Sequence, residues 1–178
     1  MKDKIELRKF KASDLNSIMK LFIDKKVIQG IGLDMEPEKI TKKSERTWLE
    51  KTIKGYRKKK PGSYNLAILL DNNYIGSIGC NKIDYKNRNI EIGYWIGSDY
   101  WNNGYMTKAL KLFLKEIRKK FNLTRIVACH FPKNPASGKV MEKWGFKYEG
   151  TRKKVHKKGN KFIDDKMYAI TKWKQKTN

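Results

Sequence analysis

The chain has 178 residues and carries 42 Lys and Arg against 18 Asp and Glu, a formal net charge of +24. That length suits one domain, residues 1–178, with a full core. No apolar run of about 18 residues is present, which excludes a membrane-spanning helix, and two cysteines, Cys80 and Cys129, exclude a disulfide framework.

Met1-Lys2-Asp3-Lys4 runs straight into an alternating strand rather than an apolar signal core, which predicts a cytoplasmic protein. Residues 4 to 10 read as this first strand, with Ile5 and Leu7 on one face. Ser13 is placed to cap a helix whose stripe is Leu15, Ile18, Met19 and Phe22. Residues 27 to 38, with Gly30, Gly32 and Pro37, read as irregular. A second helix is predicted from Ile40 to Lys59 and ends at Pro61-Gly62. Tyr64 to Leu70 and Tyr74 to Ile83 form a hairpin about Asp71-Asn72-Asn73. A further turn at Asp84 to Asn87 leads into a strand over residues 89 to 96.

A long helix follows, with Met106, Leu110, Phe113 and Ile117 at helical spacing, and runs to Lys120. Arg125 to His130 is a strand. Asn134 to Trp144 is a short helix stopped by Gly145. Tyr148 to His156 and Phe162 to Thr171 close the chain as a hairpin about Lys158-Gly159-Asn160. The predicted order is β-α-α-β-β-β-α-β-α-β-β, with no repeat and no linker.

The basic residues are mostly Lys: only seven of the 42 are Arg, the residue that reads phosphates and bases through its planar fork. They are also scattered. A compositional bias towards Lys is therefore the simpler cause of the charge, although weak attraction to RNA or ribosomes follows from it.

The segment that organises the rest is residues 91 to 110. Ile92, Tyr94, Trp95 and Ile96 close a strand, and Met106 opens a helix. Between them lies Trp101-Asn102-Asn103-Gly104-Tyr105-Met106-Thr107. A glycine turn at a helix N-terminus presents unpaired N–H groups and the positive end of the helix dipole, which suits a phosphate. An ordinary strand-to-helix junction has the same parts.

These residues resemble motif A of the GCN5-related N-acetyltransferases (GNAT), and in particular the branch that acetylates ribosomal-protein N-termini. There the segment reads E-I-G-Y-W-(I/L), then (W/R)-G-x-G-Y-A-T-x-A; Glu91 to Ile96 and Trp101 to Ala109 are similar to it. Met106 departs from the pattern, being bulkier than the family's Gly or Ala and able to narrow the approach to a pyrophosphate. A second signature, Asn134-Pro135-Ala136-Ser137 through Val140, Glu142-Lys143, Gly145-Phe146 and Glu149-Gly150, resembles the family's N-x-x-S-x-x-(V/L)-x-E-K-x-G-F…E-G.

The resemblance covers nearly the whole chain. It implies an α/β (α+β) fold with a single mixed, mostly antiparallel sheet of about seven strands, helices on both faces, and a splayed pair formed by residues 89 to 96 and 125 to 130. It implies acetyl-CoA as cosubstrate, bound by Trp95, Ile96, Gly97, Trp101 to Thr107, Asn134 and Ser137, with no metal. A backbone N–H near Trp95 or Ile96 would polarise the thioester carbonyl, and Ser137 would protonate the departing thiolate.

Glu91, a lone carboxylate in an apolar strand, is the first candidate for the base, and equally reads as the solvated start of that strand. His156 is the second candidate, and reads also as a surface histidine among lysines. Cys129 and His130 are adjacent in a strand and point to opposite faces, so they make no nucleophilic dyad. No dinucleotide or P-loop glycine motif is present.

The implied acceptor is a protein N-terminal α-amine of ribosomal-protein type. A small-molecule amine (polyamine, aminoglycoside or amino acid) is the nearest alternative, and a non-catalytic RNA- or ribosome-associated module is a third.

Overall fold

The computed structural model describes residues 3–32 and 40–171. Within them the strands are β1 (Ile5–Arg8), β2 (Tyr64–Leu70), β3 (Asn73–Asp84), β4 (Asn89–Ile96), β5 (Arg125–His130), β6 (Lys147–Lys158) and β7 (Lys161–Ile170). The helices are α1 (Leu15–Phe22), α2 (Lys25–Gly30), α3 (Lys42–Gly55), α4 (Tyr105–Lys120) and α5 (Pro135–Glu142). The strands form one sheet in the order β1-β2-β3-β4-β5-β7-β6, which leaves β1 and β6 as its edges.

Two expectations change. Residues 25–30, four of the six within the stretch read as irregular, form helix α2, started by the Asp24 side chain accepting from the Lys26 N–H at 2.8 Å. The apolar pair Val27-Ile28 is too short to show a period, but both residues are buried. Ile31 and Gly32 follow as a turn, and residues 33–38 of that stretch lie outside the described residues. The N-cap position expected of Ser13 is held by Asp14, whose side chain bonds no N–H of α1 but accepts from the Lys11 N–H at 2.8 Å and binds the Arg8 guanidinium through both oxygens. At the first hairpin, Asp71 and Asn72 adopt positive φ of 47° and 69°, as a two-residue turn with the strands' own twist requires.

The core lies mainly between the sheet and α4. Met106, Ala109, Leu110, Phe113, Leu114 and Ile117 pack on Ile90, Ile92, Ile126, Ala128, Tyr168 and Ile170. Each large side chain buried there contributes about 1.5–3 kcal/mol, and Arg118, Lys119 and Lys120 sit in the last turn of α4, where the dipole favours cations. The opposite face is covered by α1 and α3 through Leu15, Ile18 and Leu49, with Phe10 from the segment after β1.

One pairing positions everything that follows. Strands β4 and β5 are parallel neighbours only at Asn89↔Arg125, Ile90↔Ile126 and Glu91↔Val127. Beyond Glu91 they separate: β4 stays with β3, and β5 stays with β7. The sheet therefore splits towards the ends where α4 and α5 begin.

Candidate active site

Glu91 stands at the vertex of the split, as the last residue of β4 paired to β5, with its side chain exposed on the face away from α4. From there to Ile96, one edge of β4 has no partner strand. The Gly97 N–H donates to the Ile75 carbonyl at 2.9 Å, towards β3. Successive strand residues turn their N–H groups to alternate edges, so those of Ile92, Tyr94 and Ile96 face the gap, and that of Trp95 faces β3. Trp95 instead offers its ring, packed on Phe22 at 4.9 Å between centroids. Ile96 is buried, and its carbonyl accepts the Trp101 indole N–H at 3.0 Å.

The loop from Trp101 to Gly104 is tightly folded. Asn102 has φ 64°, the Asn103 side chain donates to the Trp101 carbonyl at 2.9 Å, and Gly104 caps α4 at φ 72°. A left-handed cap residue strains any residue with a Cβ, and glycine avoids that cost. No side chain caps this helix and its first turn holds no acidic residue, so the N–H groups of Tyr105, Met106 and Thr107 are the unsatisfied donors of a helix start. Apart from its chain neighbours, no atom of the described residues lies within 4 Å of where a Cβ on Gly104 would be. Open space, free donors and a positive dipole end fit a diphosphate. Tyr105 turns its hydroxyl to Asp3 at 2.6 Å, and the Thr107 carbonyl accepts the Trp144 indole N–H at 2.8 Å. Met106 is buried in the core beneath α4, so its bulk points away from the loop.

On the other side of the gap, Asn134 starts α5. Its side-chain oxygen accepts the Ser137 N–H at 3.3 Å, and its amide nitrogen donates to the Gly30 carbonyl at 2.9 Å, tying α5 to α2. Gly32 follows with φ 70°, under the Phe131 ring, where a Cβ would come within 1.9 Å of that ring. The Ser137 hydroxyl and carbonyl each lie 3.0 Å from the Tyr94 hydroxyl. Burial pushes the Tyr94 phenol well up, so it stays protonated at neutral pH. Tyr94 was missed in the sequence because an aromatic in an apolar strand reads as core.

A second polar group was also missed. Asp165 on β7 is fully buried and is held by Arg152 through both oxygens, with His156 Nε2 at 2.8 Å. Burial pushes the Asp165 carboxyl up, but the Arg152 and His156 hydrogen bonds outweigh it and keep it below the usual carboxylate range. The signal was the adjacent pair Asp164-Asp165 inside a predicted strand, because successive strand residues point to opposite faces and one of the two must turn inward. Between Glu91 and Asp165 lies Cys129, with Sγ 3.9 Å from Glu91 Oε1. Burial first, and then these carboxylates, raise its thiol to about 12, so it is no nucleophile at neutral pH. His130 is buried on the other face against Tyr168, as the alternation required. Among the described residues no group of His, Cys, Asp and Glu could hold a metal ion, and no helix is long and apolar enough to cross a membrane.

The acetyltransferase (GNAT) domain family matches residues 4–147. An uncharacterised N-acetyltransferase, p20 of Bacillus licheniformis, is 29% identical over 109 residues, 61% of each chain. The ribosomal-protein-serine acetyltransferase of Escherichia coli is 29% identical over 102 residues, 57% of each chain. The chain thus spans about three fifths of the length of these relatives. A ribosomal L7/L12 α-N-protein acetyltransferase solved in complex with coenzyme A superposes with a TM-score of 0.83 at 23% identity, covering 94% of this chain and 93% of that one. The seven-stranded split sheet is the fold of that enzyme. The chain belongs to the acetyltransferase (GNAT) family, whose members are acetyl-CoA-dependent acyltransferases.

Proposed function

We propose that the protein moves the acetyl group of acetyl-CoA directly onto the α-amine of a protein N-terminus, of the ribosomal-protein type. The observation that carries the reading is the split between β4 and β5, with an uncapped helix start at its mouth on one side and the Tyr94–Ser137 pair on the other. The N–H groups of Tyr105 to Thr107 hold the diphosphate. The gap-facing N–H groups of Tyr94 and Ile96 receive the pantetheine amide and the thioester carbonyl, where a fixed donor stabilises the developing oxyanion. Asn134 borders the same gap and offers its side chain to the pantetheine.

Transfer then has two proton demands on this chain. The Glu91 carboxylate takes the proton that nitrogen sheds once the C–N bond has formed, as the adduct collapses. The Ser137 hydroxyl, backed by Tyr94, gives a proton to the sulfur as the C–S bond breaks. Holding both substrates in one crevice supplies the proximity.

Two similarities favour an N-terminal α-amine over other amines: the E-I-G-Y-W strand with its N-P-A-S helix start, and the relatives named for ribosomal-protein acetylation. The charge of +24 adds weak attraction to ribosomes. The test is an acceptor screen that follows thiol release. Peptides with a free N-terminal Ser or Ala are expected to turn over, and the same peptides with a blocked N-terminus are not. Turnover of polyamines or aminoglycosides alone would move the assignment to a small-molecule acceptor. Salt-sensitive RNA binding without acetyl-CoA binding would replace the enzyme by a binding module.

A further inference from the structure

We infer that His156 is the group that strips the first proton from the acceptor, converting its ammonium into the attacking amine, and that Asp165 is the residue that positions it. The inference rests on the N-terminal acetyltransferase reading and adds a second proton acceptor to it. The need is chemical. Two protons leave the nitrogen in each turnover: one before attack, to free the lone pair, and one as the adduct collapses. A carboxylate is too weak a base to draw the first from an α-ammonium efficiently, whereas imidazole lies closer to it in basicity.

The backbone is distorted to bring the pair together. Arg152 stands opposite Asp165, and His156 stands opposite Ile163, so β6 advances four residues while β7 advances two. The surplus is taken up in a bulge where Lys154 adopts φ 52°, a left-handed value that costs energy for a side chain other than glycine. Asp164 secures the bulge by accepting the Lys154 N–H at 2.8 Å and the Lys153 ammonium at 2.9 Å. The effect is that Arg152 and His156 reach the same carboxylate. Arg152 alone, bound through both nitrogens, already neutralises Asp165, so a purely structural ion pair leaves the approach of His156 unaccounted for.

The geometry also sets the tautomer. Ionised Asp165 can only accept, so Nε2 carries the hydrogen and Nδ1 keeps its lone pair. Nδ1 has no hydrogen-bond partner among the described residues, and the side chain is 37% exposed. The ring rests edge-on against Phe131 at 5.0 Å, in the segment that leads from β5 to Asn134. Among the described residues, the charged and titratable groups on the elements around it are Arg152 and the flanking Lys154 and Lys157 on its own strand, Asp165 on β7, Cys129 on β5 and, across the thiol, Glu91 on β4. Glu91, Cys129, Asp165 and His156 thus form one polar line across the face of the split away from α4. In the step itself the ammonium N–H bond breaks, its proton passes to Nδ1, and the imidazolium formed is stabilised by Asp165 before releasing the proton to solvent.

The experiment compares wild type, His156→Gln and Asp165→Asn, with acetyl-CoA and a peptide beginning with serine, from pH 6 to 9. His156→Gln leaves the Arg152–Asp165 pair intact and should fold. Its kcat is expected to fall about 10²-fold near pH 7, with the deficit shrinking towards pH 9 as the amine loses its proton unaided, and with acetyl-CoA affinity unchanged. Asp165→Asn should lose activity in the same direction by a smaller factor. Nitrogen NMR of the imidazole reads the positioning without any acceptor: wild type should show the Nε2–H tautomer, and Asp165→Asn should relax it.

A folded His156→Gln protein with wild-type kcat at pH 7, a deficit constant with pH, or a wild-type ring in the other tautomer would overturn the inference. Wild type that binds acetyl-CoA but acetylates no peptide overturns the N-terminal reading instead, and the tautomer then decides the positioning alone.

Discussion

The hydroxyl of Tyr94 lies 3.0 Å from both the carbonyl oxygen and Oγ of Ser137, joining the strand on one side of the split to the helix on the other. A serine hydroxyl is a poor acid by itself, and a neighbouring phenol that stays protonated can resupply it. Ser137→Ala is expected to lower kcat about 10²-fold, with acetyl-CoA affinity by calorimetry little changed. Tyr94→Phe should lose less, because the serine hydroxyl remains. Wild-type turnover in Ser137→Ala would remove both residues from the proton path.

Gly104 and Gly145 have similar positive φ, 72° and 84°, but only the first caps the helix start at the split. Replacing either by alanine places a Cβ in left-handed backbone, costing about 1–2 kcal/mol, or some 2–8 °C in Tm for a domain of this size. Gly104→Ala should in addition raise the KM for acetyl-CoA several-fold, and Gly145→Ala should not. Equal effects on KM would detach Gly104 from the phosphate.

Met106 separates packing from binding. Its side chain is buried among the α4 and sheet residues, so Met106→Ala should cost about 2–5 kcal/mol of stability by denaturant titration. Acetyl-CoA affinity should stay near wild type. A large gain in affinity would mean that the methionine obstructs the phosphate after all.

Acid should unfold the protein through two buried carboxylates. Burial raises Asp14 and Asp165, but Arg8 in one case, and Arg152 with His156 in the other, bring both below their ordinary values. Because the folded values are depressed, the stabilisation is complete above the unfolded carboxylate value, about 3.9. It is lost as pH falls below about 4, through the folded values. Thermal melts between pH 2 and 6 should show this slope, and Asp14→Asn should flatten it.

Much of this was legible in one sequence because the signals were local and periodic. The α4 stripe at helical spacing, the Asp-Asn turn of the first hairpin and the glycine at the start of α4 each state a backbone requirement in a few adjacent residues. Helix α2 was not legible, since six residues give less than two turns of pattern. The Asp165 cluster was not legible for a different reason. Arg152, His156 and Asp165 meet only through a bulge in a strand pair, and a bulge shifts register without leaving a mark in composition. Tyr94 and Ser137 lie 43 positions apart, and only the packing of α5 over the split makes them neighbours.

The outer strand β6 has a last consequence. It is interrupted between Tyr148 and Gly150 and again between Arg152 and His156, and it carries Lys147, Lys153, Lys154, Lys157 and Lys158. Flat, neutral edges invite a second molecule to continue the sheet, and kinks with crowded ammonium groups prevent it. The same deformation that brings Arg152 and His156 to Asp165 therefore also discourages crowded copies from zipping together along this flank.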